Sequence, residues 1–233
     1  KEALKRKSVI HIHLAESRQE VADCLEKYGK SPVQHLADLG MFACRTVAAH
    51  CVHVSADDID LLAKHKVSVV NNPTSNMKLA NGFAPIDAIL KKGINVALGT
   101  DGSASNNNVN LFEEMHLAAL VNKAVTEDAE SVPATEVLRM ATINGAKALG
   151  LENEIGSLEI GKRADLILLD TNKPHYFPRH NPVSSLAYSA QAADVKTVMV
   201  NGQVLLENYQ FKTSAVEETM REAERMAFDL VRR

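Results

Sequence analysis

The chain has 233 residues, 45% of them hydrophobic, and a formal net charge of −3. That is enough apolar material for one large domain or two small ones, and the charge gives no reason to expect nucleic acid or an anionic membrane as partner. No apolar run reaches the ~18 residues that span a bilayer, and Cys24, Cys44 and Cys51 are too few and too irregular for a disulfide framework; a cytoplasmic protein is expected.

Lys1 to Lys7 reads as the end of a basic helix, as if the chain continued from something longer. Val9–Leu14 alternates and is rich in β-branched residues, which predicts a strand. Val21, Ala22, Leu25 and Tyr28 recur at helical spacing until Gly29 stops them. Val33–Leu39 predicts a second short helix before Gly40. Thr46–Ala49 predicts the next strand, and Ser55 with Asp58 resembles a capping box opening a helix through Lys64. Val67–Val70 predicts a third strand, and Asn71-Asn72-Pro73-Thr74-Ser75-Asn76 reads as a loop. Ala84–Lys91 is helical, Ile94–Leu98 is the fourth strand, and Leu111–Ala124 and Ala134–Leu149 are two further helices.

The alternation β-α-β-α-β-α-β predicts a parallel sheet covered by helices. From His13 to Asp101 the chain takes three such steps of about 29 residues each, close to the ~31 per unit of a full (β/α)8 barrel. After Gly150 the character changes. Ile155–Lys162 is turn-rich, Ala164–Leu169 is an apolar strand, and Val195–Val200 and Gln203–Leu206 flank Asn201-Gly202, which suits a type I′ hairpin turn. Ser214 and Glu217 predict a capping box for a last helix whose apolar stripe, Val216, Met220, Ala223, Ala227 and Val231, is expected to pack. The expected organisation is a barrel portion over residues 1–150, a small β subdomain over 151–211 and an amphipathic helix over 212–233.

The polar residues that end the strands carry the chemistry. His13-Leu14-Ala15-Glu16 follows the first strand, His50 ends the second, and Gly99-Thr100-Asp101-Gly102-Ser103-Ala104-Ser105-Asn106-Asn107 follows the fourth. In a parallel α/β barrel the chemistry lies at these ends. An aspartate in an isolated Thr-Asp-Gly turn would more simply cap the next helix, and the companions upstream outweigh that reading.

Taken together, these motifs, the Asn71–Leu79 segment and the later Gly156–Leu166 segment resemble the amidohydrolase superfamily. Within it they are most similar to the aminohydrolases that deaminate 5′-methylthioadenosine and S-adenosylhomocysteine. The resemblance runs from about Val9 to Tyr209. It implies strands five to eight of a barrel, with the first four strands and their His-x-His pair absent. It also implies one divalent metal, Zn²⁺ before Fe²⁺, Mn²⁺ or Ni²⁺, held by His13 and Asp101. Water on that metal would attack the amino-bearing ring carbon, Glu16 would carry a proton to the ring, and His50 would orient the water or stabilise charge. Asp101 would accept the hydroxyl proton, and Glu16, His50 and Ser105 would contact substrate.

His11 shares a strand face with His13 and is expected to lie deeper in the barrel as a structural residue. His53, His65, His116, His175 and His180 are expected at the surface or in packing, and Lys78 is expected to be solvated. The missing strands leave two sheet edges to cover, so this piece is expected to lack full activity and to pair with the other half or with a second copy. The alternatives are hydrolysis of another heterocycle (guanine, cytosine or an s-triazine) and a non-catalytic, oligomerising scaffold.

Overall fold

The computed structural model describes residues 2–213 and 215–232. Four short strands, β1 (Ile10–Leu14), β2 (Thr46–His50), β3 (Ser68–Asn71) and β4 (Val96–Leu98), form a parallel sheet in the order β1-β2-β3-β4. The register sets Leu14 beside His50 and Asn71 beside Leu98, so the strand ends lie level. Among the described residues β1 and β4 each pair on one side only.

β2 is buried along its whole length, as expected of a parallel strand covered on both faces. Its Ala48, with Val69 and Val96 from the neighbouring strands, shares one hydrophobic core with Leu62, Ile86, Ile89, Val137 and Met140 from the covering helices. The helix Ala56–Lys64 starts as its sequence predicts: Ser55 Oγ accepts the Asp58 N–H at 3.1 Å and Asp58 Oδ2 accepts the Ser55 N–H at 3.0 Å.

Three elements differ from expectation. Asn71–Asn76, expected as loop, instead ends the third strand at Asn71 and opens a helix at Pro73–Lys78. Proline at the first helical position is pre-set for that conformation, a start signal hidden by the asparagines around it. The predicted helix Ala134–Leu149 is two, Ala134–Met140 and Ile143–Leu149, separated at Thr142 where ψ is −100°. A further helix, Pro182–Tyr188, was not legible as one. Asn181 Oδ1 caps it by accepting the Val183 and Ser184 N–H groups.

The second sheet is antiparallel, β5 (Leu166–Leu169), β6 (Val195–Val200), β7 (Gln203–Glu207) and β8 (Gln210–Phe211), in sequence order. Asn201 and Gly202 have φ of 50° and 78°, both positive as a type I′ turn requires. The helix Pro182–Tyr188 leaves this sheet and packs on Leu111–Thr126 and Ala134–Met140, with Ala187 in the main core. The segment 151–211 is therefore tied into the first unit midway along its length.

The last helix runs Val216–Val231. The Ser214 cap lies outside the described residues. The stripe expected to pack does not pack here: Met220 is 64% exposed and Val231 83%. No helix of the described residues is long and apolar enough to cross a membrane.

Candidate active site

Each strand end turns sharply. Ala15 after β1, His50 and Cys51 at the end of β2, and Asp101 after β4 have φ of 50°, 72°, 48° and 61°. Left-handed backbone at a non-glycine residue is uncommon and is held in place by its surroundings, often at functional sites. The result is convergence. Ligand atoms of His13, His50 and Asp101 all lie within 4.8 Å of one another, and the two imidazole centroids are 5.2 Å apart. The donor set thus has three members where the sequence pattern assigned two, with His50 joining the pair. His11 is not part of this cluster. It stands exposed, not deep in a core as expected, because its side of β1 faces open space.

Asp101 Oδ2 accepts hydroxyl hydrogen bonds from Ser75 at 2.7 Å and Ser105 at 2.6 Å. Burial pushes the Asp101 carboxyl up. The Ser105 and Ser75 hydroxyls, the Gly102 N–H and the neighbouring His50 outweigh it and hold the group below the usual carboxylate range. Asp101 is therefore a carboxylate, the form that binds a cation. Ser105 was expected against substrate; it is buried and gives its hydroxyl proton to Asp101.

Glu16 sits at the mouth of the cluster, its Oε2 3.8 Å from His50 Nε2 and its Oε1 accepting from Asn81 Nδ2 at 2.9 Å. It does not cap the following helix. Ser17 does so by accepting the Glu20 N–H, and the Glu20 carboxylate accepts the Ala15 and Glu16 N–H groups at 2.8 Å each. The Glu16 carboxylate is thereby left for the site. The Ser17-x-x-Glu20 spacing, that of a capping box, is the one sequence signal that could have pointed to Glu20.

The helix Pro73–Lys78 organises the rest. Ser75 reaches Asp101, Asn76 Oδ1 lies 2.8 Å from His50 Nδ1, and Lys78 Nζ donates to Ala104 O at 2.9 Å and to Asn107 Oδ1. Lys78 is exposed but bonded, so it ties this helix to the turn that carries Asp101. Glu114, fully buried, anchors the same helix by accepting the Thr74 N–H, and it also accepts from Asn106 Nδ2 at 2.7 Å. None of Ser75, Asn76, Asn81, Glu20 and Glu114 stood out as a site residue in the sequence. Cys51 lies behind the cluster, and burial pushes its thiol up to about 12, which removes it as a nucleophile.

Outside the site, His175 is not a bare surface residue. Its Nε2 lies 2.9 Å from Asp194 Oδ2, in a network with Lys173, Tyr176 and the Gln191 N–H.

A model of the amidohydrolase family matches residues 1–205. The 5-methylthioadenosine/S-adenosylhomocysteine deaminase of Thermoanaerobacter pseudethanolicus is 59% identical over 224 residues, which is 96% of this chain and 52% of that protein. Among solved structures, an adenosine deaminase from Xanthomonas campestris with bound zinc superposes with a TM-score of 0.96 at 38% identity, covering 99% of this chain and 52% of the other. An atrazine chlorohydrolase from Arthrobacter aurescens complexed with zinc gives 0.90 at 29% identity over 96% of this chain and 49% of its own. The chain spans about half the length of the relatives it matches.

Proposed function

The chain belongs to the amidohydrolase family, and on that premise we propose that it is the C-terminal half of a metal-dependent aminohydrolase acting on an adenine-bearing thioether nucleoside. The observation that carries the reading is the convergence of His13, His50 and Asp101 at the ends of parallel strands, with Glu16 beside them. The substrate class follows from the deaminases named among its relatives.

Two imidazoles and a carboxylate suit a borderline cation such as Zn²⁺, and both solved neighbours hold zinc. Donors ~2.1 Å from one tetrahedral ion stand about 3.4 Å apart, so the three groups, within 4.8 Å of one another, would draw closer around it. Fe²⁺, Mn²⁺ and Ni²⁺ take the same donors. A bound divalent cation supplies Lewis acidity, which makes water a competent nucleophile near neutral pH.

The protein side chains do the rest. Ser75 and Ser105 hold Asp101 ionised, ready to bind and to accept a proton from the attacking water. Glu16, freed from helix capping by Ser17 and Glu20, delivers a proton to the ring nitrogen as the amino-bearing carbon becomes tetrahedral. His50, held in a fixed, buried position, would be the third donor to that cation. Asp101 passes the proton it has taken to the leaving amine, the C–N bond breaks as the carbonyl forms, and the remaining hydroxyl proton restores the acid form of Glu16.

In this reading β1–β4 are strands five to eight of a barrel. The division at residues 150 and 211 separates barrel, β subdomain and terminal helix, with Pro182–Tyr188 as the tie between the first two. The open edges of β1 and β4 take the remaining strands, from the other half of the protein or from a second copy. A cytoplasmic setting fits the free thiols of Cys24, Cys44 and Cys51.

The test is ammonia release by the full-length protein from a panel of 5′-methylthioadenosine, S-adenosylhomocysteine, adenosine, guanine, cytosine and an s-triazine. The reading expects the thioether nucleosides to lead in kcat/KM. Preference for guanine, cytosine or the triazine overturns the substrate class, and no turnover of any overturns the activity.

A further inference from the structure

His50 and Asn76 are each 1% exposed, and His50 Nδ1 lies 2.8 Å from Asn76 Oδ1, an atom that can only accept. A neutral imidazole carries one N–H. Which nitrogen holds it decides whether the other can accept a hydrogen bond or bind a cation. With Nδ1–H given to Asn76, the lone pair is on Nε2, the nitrogen 3.8 Å from the Glu16 carboxylate.

We propose that Asn76 is a positioning residue that fixes His50 in its Nδ1–H form, so that Nε2 presents a lone pair to the His13–His50–Asp101 cluster. This rests on the reading of that cluster as a hydrolytic site.

Three observations support it. The backbone holds Asn76 from both sides, its N–H given to Asn72 O at 3.0 Å and its carbonyl accepting the Asn81 N–H at 2.9 Å. The amide therefore has little freedom to swing away. The other end of the same amide, Nδ2, is buried without a hydrogen-bond partner among the described residues. A leucine would fill similar volume without that unsatisfied group, so the amide is retained at a cost for its oxygen. An amide oxygen is also a neutral acceptor. It orders the N–H without drawing a second proton onto the ring, as an aspartate there would.

The rule that a ligand or base histidine is oriented through its second nitrogen is general. Here the orienting residue is one step along the helix from Ser75, which does the equivalent for Asp101.

The test is the nitrogen chemical shifts of ¹⁵N-histidine-labelled chain, metal-free and at alkaline pH, where each tautomer has its own pattern. In the unsubstituted protein His50 is expected to show a protonated Nδ1 and an unprotonated Nε2. Asn76→Leu keeps the volume and removes the acceptor. It is expected to move the tautomer ratio at least about fivefold toward Nε2–H, the shift that loss of one net hydrogen bond implies. Asn76→Asp keeps an acceptor and is expected to retain Nδ1–H, which also serves if the leucine variant does not fold. An Nε2–H imidazole in the unsubstituted protein, or an unchanged ratio in Asn76→Leu, overturns the proposal. The readout involves no turnover, so it stands apart from the substrate panel: deaminase activity can fail while the tautomer is as stated, and the reverse.

Discussion

Glu114 gives the sharpest test of how the site is held. It is fully buried, and its carboxylate accepts the Thr74 N–H and the Asn106 amide, through which it fixes the helix that carries Ser75 and Asn76. Glu114→Ala strands both donors. Each buried unsatisfied group costs about 1–3 kcal/mol, so the variant should lose about 3–5 kcal/mol, a large share of the ~5–15 kcal/mol that stabilises a domain. Glu114→Gln keeps the volume but must turn its own NH₂ toward one of two donors. That resembles the protonated acid with a conflict of about 1 kcal/mol. The pH dependence has a definite sign. Burial raises the Glu114 pKa more than the Thr74 and Asn106 hydrogen bonds lower it. Stability from this group is therefore fully present below the usual glutamate value and lost as pH rises through the raised one. Urea unfolding across that window should show Glu114→Gln less stable than the parent in acid, with the gap narrowing as pH rises. A gap that widens with pH would refute the reasoning, as would a Glu114→Ala variant within about 0.5 kcal/mol of the parent.

Ser75→Ala and Ser105→Ala each remove one hydroxyl from Asp101, so its carboxyl should rise toward the ordinary range and Zn²⁺ affinity fall about tenfold; competition with a coloured chelator measures it, and unchanged affinity in both would contradict the assignment. Asp194→Asn should destabilise by about 3 kcal/mol, because Lys173, His175, Tyr176 and the Gln191 N–H all converge on that carboxylate. Burial raises the Asp194 pKa, but these donors hold it far below the usual range. Its contribution is thus present above the ordinary aspartate value and lost on acidification below it, a slope that the asparagine variant should lack in urea melts. Gly156→Ala should lower stability by about 1–3 kcal/mol in thermal melts, since φ is +91° and an added Cβ would stand 2.8 Å from the Ala146 Cβ. Leu62→Ala, at a site with no exposure, should cost about 2–5 kcal/mol.

Much of the fold was legible because hydrophobic period and turn chemistry agreed. β2 reads as a strand and is buried at every position, and Asn201-Gly202 reads as a tight hairpin and adopts one. The helix Pro73–Lys78 was masked by polar residues whose side chains are committed to tertiary bonds, so local composition said loop while Pro73 said helix. The site was legible only in outline. His13, His50, Asp101 and Glu16 stand at strand ends, where a motif shows them. Ser75, Asn76 and Asn81 reach from one strand end to another, to residues about 26 to 65 positions away, and no sequence period encodes such a pairing. Ser105 was expected against substrate from its motif; its hydroxyl donates to Asp101 four residues earlier, a bond the motif does not show. The last helix shows the opposite limit. Its stripe was read as packing, but the stripe stays exposed along Met220 and Val231.

If His13, His50 and Asp101 together hold one metal ion, as proposed, zinc titration of this chain shows it. About one Zn²⁺ per chain is expected, with His13→Ala and Asp101→Ala each weakening binding by about tenfold or more. Equal zinc affinity in the parent and both variants would contradict it.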